Sequence, residues 1–405
     1  MNLVFALIIP LFQQTPSGYD AKLYEKAVKL SQSTIMLDGH IDAPTEIMEK
    51  GKAHDISVLT TGDFDYPKAK KGGLDAPFMS IYLDADFQKT PGASKKHAIE
   101  ILNVMDSVIS KNPDKFAHAL TPDDIRENFK KGKMSLPYGM ENGSGIEDDL
   151  SNVKYFYDRG IRYITLTHGK KNLICDSSYD PEKGWNGISP FGKKVIEEMN
   201  RFGIMVDISH VSDSAFYQAL RITKAPPICS HSSCRVFTPD FERSVSDDML
   251  KKLAKKGGVI QINFGSAFLN EAANKYSEKR KAYVEKFKSE NQIASSDDAR
   301  VKDATKKFNL ENPYPFATVS TVADHIDHVV RLVGIDFVGI GSDFDGVGDS
   351  LPIGLKTAQD MPNLVYELLK RGYSEKDIEK ILSGNVLRVW QKVTEYAKMG
   401  SIKGL

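Results

Sequence analysis

Eight short apolar runs, each followed by a charged stretch, do most to limit what this chain can fold into. They lie at 35–42 (IMLDGHID), 78–83 (FMSIYL), 135–141 (SLPYGME), 161–168 (IRYITLTH), 204–210 (IMVDISH), 227–231 (PICSH), 258–264 (GVIQINF) and 337–343 (FVGIGSD). The runs are nearly continuous in apolar residues, as strands buried on both faces must be. Candidate helices between them include 95–111, 192–202, 247–256 and 321–333. Strands alternating with helices make an α/β fold with a parallel sheet. Eight such units predict a closed (β/α)8 TIM barrel, with a doubly wound open sheet as the main alternative.

One segment departs from the pattern. Residues 270–312, after the seventh run, are rich in Lys, Glu, Asp and Ala. They read as a largely helical insertion on the barrel rim with solvated charged faces; a lid over the mouth is the sharper alternative. No repeat or low-complexity linker divides the chain, so residues 21–405 are expected to form one domain. The start, MNLVFALIIPLF over residues 1–12, is too short to span a bilayer. It resembles the apolar core of a signal peptide but lacks a preceding Lys or Arg and a clear cleavage site. Residues 1–20 are therefore read as a signal peptide or an apolar arm on the domain. A periplasmic or secreted location is weakly favoured over a cytoplasmic one.

Lys plus Arg and Asp plus Glu both number 54. That balance argues against nucleic-acid binding, which normally shows a basic surplus, and leaves a small-molecule substrate. The three cysteines, Cys175, Cys229 and Cys234, include no CxxC pair. They read as buried thiols, with one bridge and a leftover thiol as the alternative. Any metal must rest on His, Asp and Glu.

Six of the eight runs carry such residues near their C-terminal ends: His40 and Asp42, Glu141, His168, His210, His231 and Asp343. In a barrel these ends converge on one mouth, where active sites are built. The other five histidines, His54, His97, His118, His325 and His328, fall between the runs. On a strand His40 and Asp42 point to one face and can share a metal ion; a core His beside an N-capping Asp is the plainer reading of the pair alone. His210 and His231, on neighbouring strand ends, make a good imidazole pair for zinc. Glu141 sits between Gly139 and Gly143, which let the backbone approach a ligand or turn sharply. Its two oxygens could bridge two metals about 3.5–4 Å apart; a capping or salt-bridging glutamate is the alternative. Asp343 in SDFDG also reads as a strand followed by an Asp-Gly turn carrying Asp345.

The ordered set HID at 40–42, GMENG at 139–143, ITLTH at 164–168, DISH at 207–210, SHSSCR at 230–235, RSVSDDML at 243–250, GIGSDFDG at 339–346 and GNVLRVW at 384–390 resembles the membrane (renal) dipeptidase family. The resemblance covers almost the whole chain. It implies a (β/α)8 barrel holding two zinc ions (Zn2+) per chain. His40 and Asp42 would bind the first zinc, His210 and His231 the second, and Glu141 would bridge them. His168 would sit over the substrate and stabilise the developing oxyanion. Arg243 would hold the substrate's terminal carboxylate, with Arg235 its competitor. Asp343 would carry a proton from the attacking water to the departing amine. The implied activity is zinc-dependent hydrolysis of free dipeptides by a hydroxide held between the metals. Tyr138 and Trp185 are further candidates for shaping the pocket.

The departures from the family pattern are small. Asn142 stands where many relatives have Gly, and the 270–312 stretch is long for the family. No long apolar tail follows Trp390, so no membrane span is expected; a homodimer is left open. One rival is another binuclear metal hydrolase, acting on a cyclic amide, lactone, phosphoester or D-aminoacyl amide. Many of those open with HxH and bridge their metals through a carboxylated lysine; this sequence has HxD and no lysine at a plausible bridging strand end. A non-catalytic metal-binding barrel is the second rival, but every expected position is occupied. The ligand set would also accept Mn²⁺ or Co²⁺.

Overall fold

Eight strands follow one another around a single parallel sheet in chain order: β1 (Leu37–Ile41), β2 (Ala76–Tyr82), β3 (Tyr138–Glu141), β4 (Ile161–Thr165), β5 (Met205–Asp207), β6 (Ile228–Ser232), β7 (Val259–Ile262) and β8 (Val338–Ile340). Each pairs with the next. A parallel bridge from Ile41 to Phe344 joins the first and last strands just past their ends. Backbone bonds from Asp343 N to His40 O (3.0 Å) and from Asp42 N to Phe344 O (2.9 Å) complete that seam. The ring is therefore a (β/α)8 barrel and not an open doubly wound sheet. The computed structural model describes residues 15–51, 54–295 and 298–403. The apolar run at 1–12, read above as a signal peptide or arm, lies outside them.

All eight runs land on barrel strands, with two local corrections. The third run is broken at Pro137, which has no N–H to give to a ladder. Its first two residues, Ser135 and Leu136, belong instead to a short strand, Met134–Leu136, that pairs with Phe116–His118 in a separate two-stranded sheet. His118 is thus on a strand. In addition, β4, β5 and β8 each stop three residues before His168, His210 and Asp343. His210 (φ 66°) and Asp343 (φ 63°) adopt left-handed backbone, which no ladder tolerates.

The helices form where periodicity and caps agree. Pro190–Phe202 is capped by Ser189, and Asp247–Lys255 by Ser246. Val319–Val333 opens with a capping box from Thr318 and Thr321. The stretch after β7 forms two helices, Glu271–Glu290 and Ala299–Glu311, joined through Tyr276 and Phe308 with ring centroids 5.6 Å apart. Few of their residues are buried, so the segment is largely helical and largely solvated. All three cysteines are buried and free, which removes the bridge considered above. Among the described residues no helix is long and apolar enough to cross a membrane.

Candidate active site

The C-terminal ends of the strands open into a cleft of about 380 Å³. Glu141, the last residue of β3, lies at its centre and is buried. On one side, His40 Nε2 is 3.3 Å from Glu141 Oε2 and 3.4 Å from Asp42 Oδ2. On the other, His210 and His231 Nε2 are 3.2 and 3.3 Å from Glu141 Oε1, and 2.8 Å from each other. His168 Nε2 stands 3.7 Å from the same oxygen and is partly open to the cleft. Each carboxylate oxygen therefore faces its own group of donors.

These donors are held from behind. Tyr163 Oη lies 2.7 Å from His40 Nδ1. A Cβ on Gly139 would collide with the Tyr163 ring, so the room left by that glycine serves this support and not a ligand. Ser230 Oγ lies 2.8 Å from His231 Nδ1 and donates to Asp207 at 2.6 Å. Buried Asp38 accepts from the backbone of His40 (3.0 Å) and of Ser342 (2.9 Å), tying β1 to the end of β8. Outer partners of this kind fix the orientation of metal-binding imidazoles. Asn263 Nδ2 donates to Asp343 Oδ2 at 2.7 Å.

Burial and neighbouring charges compete in shifting these groups. Burial opposes charge on Glu141, but His40, His168, His210 and His231 outweigh it and hold the carboxyl well below the usual range. Burial pushes His210 and His231 down, helped by Arg243 and His168 for the first and by His40 for the second, which favours their neutral forms. His40 moves up: burial resists its charge, and Tyr163, Glu141 and Asp42 favour it. Asp343 is pushed up to about 8 by burial and by the neighbouring Asp42.

The donor set fits divalent cations. His40 Nε2 is buried with no hydrogen-bond partner although it points at two carboxylates. Carboxylate oxygens and imidazole nitrogens converge in overlapping groups: His40 with Asp42 and Glu141, His40 with His231 and Asp343, and Glu141 with His168 and His210. A Cβ on Gly346 would strike the Asp42 carboxylate, so glycine there leaves the donors their space.

Of the two candidate arginines, one is ion-paired and the other is not. Arg235 is paired with both Asp213 oxygens, at 2.8 and 2.6 Å. Arg243 is buried, donates to Ser232 Oγ (2.7 Å) and His231 O (2.5 Å), and keeps its Nε unpartnered. Among the described residues no carboxylate pairs with it, a costly state for a buried cation unless an anion arrives.

The structure does not place every candidate in the cleft. Tyr138 sits at the start of β3, bonded to Asp106 (3.1 Å), far from the mouth because strand polarity puts it at the opposite end. Trp185 lines a neighbouring cavity. The cleft walls are instead Thr45, Tyr82, Tyr179, Phe268 and Val347. Tyr82 meets the His168 ring edge-on at 4.9 Å. Only a lumen-facing position two residues from His40 would have pointed to Asp38; no local signal marks Tyr179 or Phe268. His325, away from the cleft, bonds backbone groups through both ring nitrogens and is structural.

A closed (β/α)8 barrel that gathers imidazoles and carboxylates around one glutamate at its C-terminal mouth defines a metal-dependent hydrolase. The sequence model of Membrane dipeptidase (Peptidase family M19) matches residues 24–403, and the chain belongs to this family of metallo-dipeptidases. It is 29% identical to mouse (Mus musculus) Dipeptidase 3 over 384 residues, which are 93% of this chain and 68% of that protein. The crystal structure of the probable dipeptidase PvdM from Pseudomonas aeruginosa superposes with a TM-score of 0.81 at 27% identity, covering 94% of this chain and 100% of that one. A metallo peptidase from Rhodobacter sphaeroides, liganded with a phosphinate mimic of the dipeptide L-Ala-D-Ala, shares the fold (TM-score 0.72, 22% identity, 89% of this chain and 100% of that one).

Proposed function

We propose that this chain hydrolyses the peptide bond of free dipeptides with two zinc ions, which His40 and Asp42 on one side and His210 and His231 on the other would hold, with Glu141 offering an oxygen to each group. The observation that carries the reading is the division of labour on Glu141: Oε2 faces His40 and Asp42, Oε1 faces His210 and His231. When bound, the metals supply Lewis acidity to the peptide carbonyl and lower the pKa of the attacking water. The chain's own groups do the rest. Asp343 accepts the water's proton and returns it to the departing amine. His168, partly open to the cleft, donates to the oxygen on which negative charge develops. Arg243 receives the C-terminal carboxylate, which satisfies its otherwise unpaired charge and limits the substrate to two residues.

The test is hydrolysis of a panel of free dipeptides and matching tripeptides, with metal content measured in parallel. Cleavage confined to dipeptides, lost on chelation and restored by zinc, is the expected result. No cleavage despite two bound metals would move the reading to another amide or ester.

Arg243→Ala separates the anchor from the chemistry. A hydrogen bond to a charged group contributes about 1.5–3 kcal/mol, so KM for free dipeptides should rise roughly 10- to 150-fold. The KM for C-terminal dipeptide amides should change little, because they carry no carboxylate to lose. Equal effects on both substrates would remove Arg243 from carboxylate binding.

A further inference from the structure

A second cavity, of about 480 Å³, opens beside the turn that follows Glu141 and shares no lining residue with the active cleft. Its apolar lining includes Leu173 and Trp185, which are 48% and 44% exposed. Its polar lining includes Gln88, Ser144, Glu147 and Lys171.

The walls are fixed by dedicated bonds. The indole N–H of Trp185 donates to Asn172 O at 2.8 Å. Buried Asp176 accepts from the backbone of Gly184 (2.7 Å), Trp185 (3.1 Å) and Gly187 (2.9 Å), which sets the ring's position. At the back, Asn142 donates to Gln88 Oε1 (2.9 Å) and accepts from Asn172 Nδ2 (2.9 Å). Glu147 has left-handed backbone (φ 53°) and accepts from Lys95 N at 3.3 Å. Ser144 Oγ is buried and has no partner. Lys171 has an exposed contact to Glu182 at 3.8 Å, a pair too long and too wet to hold the ammonium in place.

A carboxylate, an ammonium and an unpartnered hydroxyl around one cavity, together with an indole and a leucine, complement a small zwitterion that carries an apolar side chain. We propose that this cavity binds a free apolar α-amino acid. The carboxylate meets Lys171, the ammonium meets Glu147, and the side chain packs on Leu173 and Trp185. Binding here does not rest on the dipeptidase reading, and its test needs no turnover.

The chain has two tryptophans, and Trp390 is fully buried, so a change in emission on adding a ligand reports on Trp185. Titration of the metal-loaded enzyme with L-leucine should give a saturable blue shift as Trp185 loses water. N-acetyl-L-leucine, which lacks the ammonium, and L-leucinamide, which lacks the carboxylate, should each bind at least tenfold more weakly. Lys171→Met and Glu147→Gln should each raise the leucine Kd at least tenfold, and Arg243→Ala should leave it unchanged. No saturable shift would overturn the proposal. So would binding of either analogue as tightly as leucine, or loss of the shift in Arg243→Ala, which would put the leucine in the active cleft.

Discussion

Glu141→Gln is expected to release both metal ions together and to reduce dipeptide hydrolysis at least on the order of 10³-fold, the upper end for loss of one transition-state contact. The substitution keeps the shape of the side chain but replaces one oxygen by an N–H donor and removes the charge. Whichever way the amide turns, one donor group loses its shared ligand. Facing His40 and Asp42, the NH₂ leaves the first group without its Glu141 oxygen; facing His210 and His231, it does the same to the second. The oxygen that remains is neutral and attracts a dication less. Losing an outer partner of a metal ligand costs about 10- to 100-fold in metal affinity, so loss at the shared ligand should exceed that for both ions. Metal analysis after gel filtration, with far-UV circular dichroism to confirm folding, decides the matter. Two tightly retained zinc ions would remove Glu141 as the bridge, and loss of one ion alone would assign it to a single group.

The barrel was legible because parallel strands buried on both faces leave long apolar runs, and all eight of these fall on strands. Their ends were less so. A run of apolar letters continues through ITLTH and IMVDISH, but hydrogen bonding stops at Thr165 and Asp207, and His210 then turns into left-handed backbone. Pro137 marked a break within the third run that apolar composition masked. The residues at strand ends could be named because barrel polarity alone gathers them at one mouth. Their supports could not, since they depend on register between strands: Tyr163 reaches His40 across 123 residues, and Asn263 reaches Asp343 across 80. Asp38 was not named either, although it lies two residues before His40 on the same strand and so on the same face. Sequence distance misled in the case of the arginines. Arg235 is nearer to His231 along the chain, but Asp213, from the preceding βα unit, occupies it.

Asp343→Asn should lower kcat by about 10²- to 10⁴-fold, the range for removing a general acid–base group, with both metals retained and KM little changed. The backbone tolerates the change: position 343 has a φ of 63°, and asparagine is among the residues that most readily adopt that region. The local bond also survives, because the amide oxygen can accept from Asn263 Nδ2 as the carboxylate does. What disappears is the site that takes a proton. The pH profile carries the sharper test. A base must be ionised, so activity depending on Asp343 is present above its pKa and lost as pH falls through it. Burial and Asp42 raise that carboxyl to about 8, whereas bound dications favour its ionised form. The acid limb of kcat therefore lies between the ordinary aspartate value of about 4 and about 8. In Asp343→Asn the residual activity should lose that limb. A variant that keeps it, or keeps wild-type kcat, would show that the proton travels through another group, with His168 the next to test because it shares the cleft and approaches Glu141 Oε1.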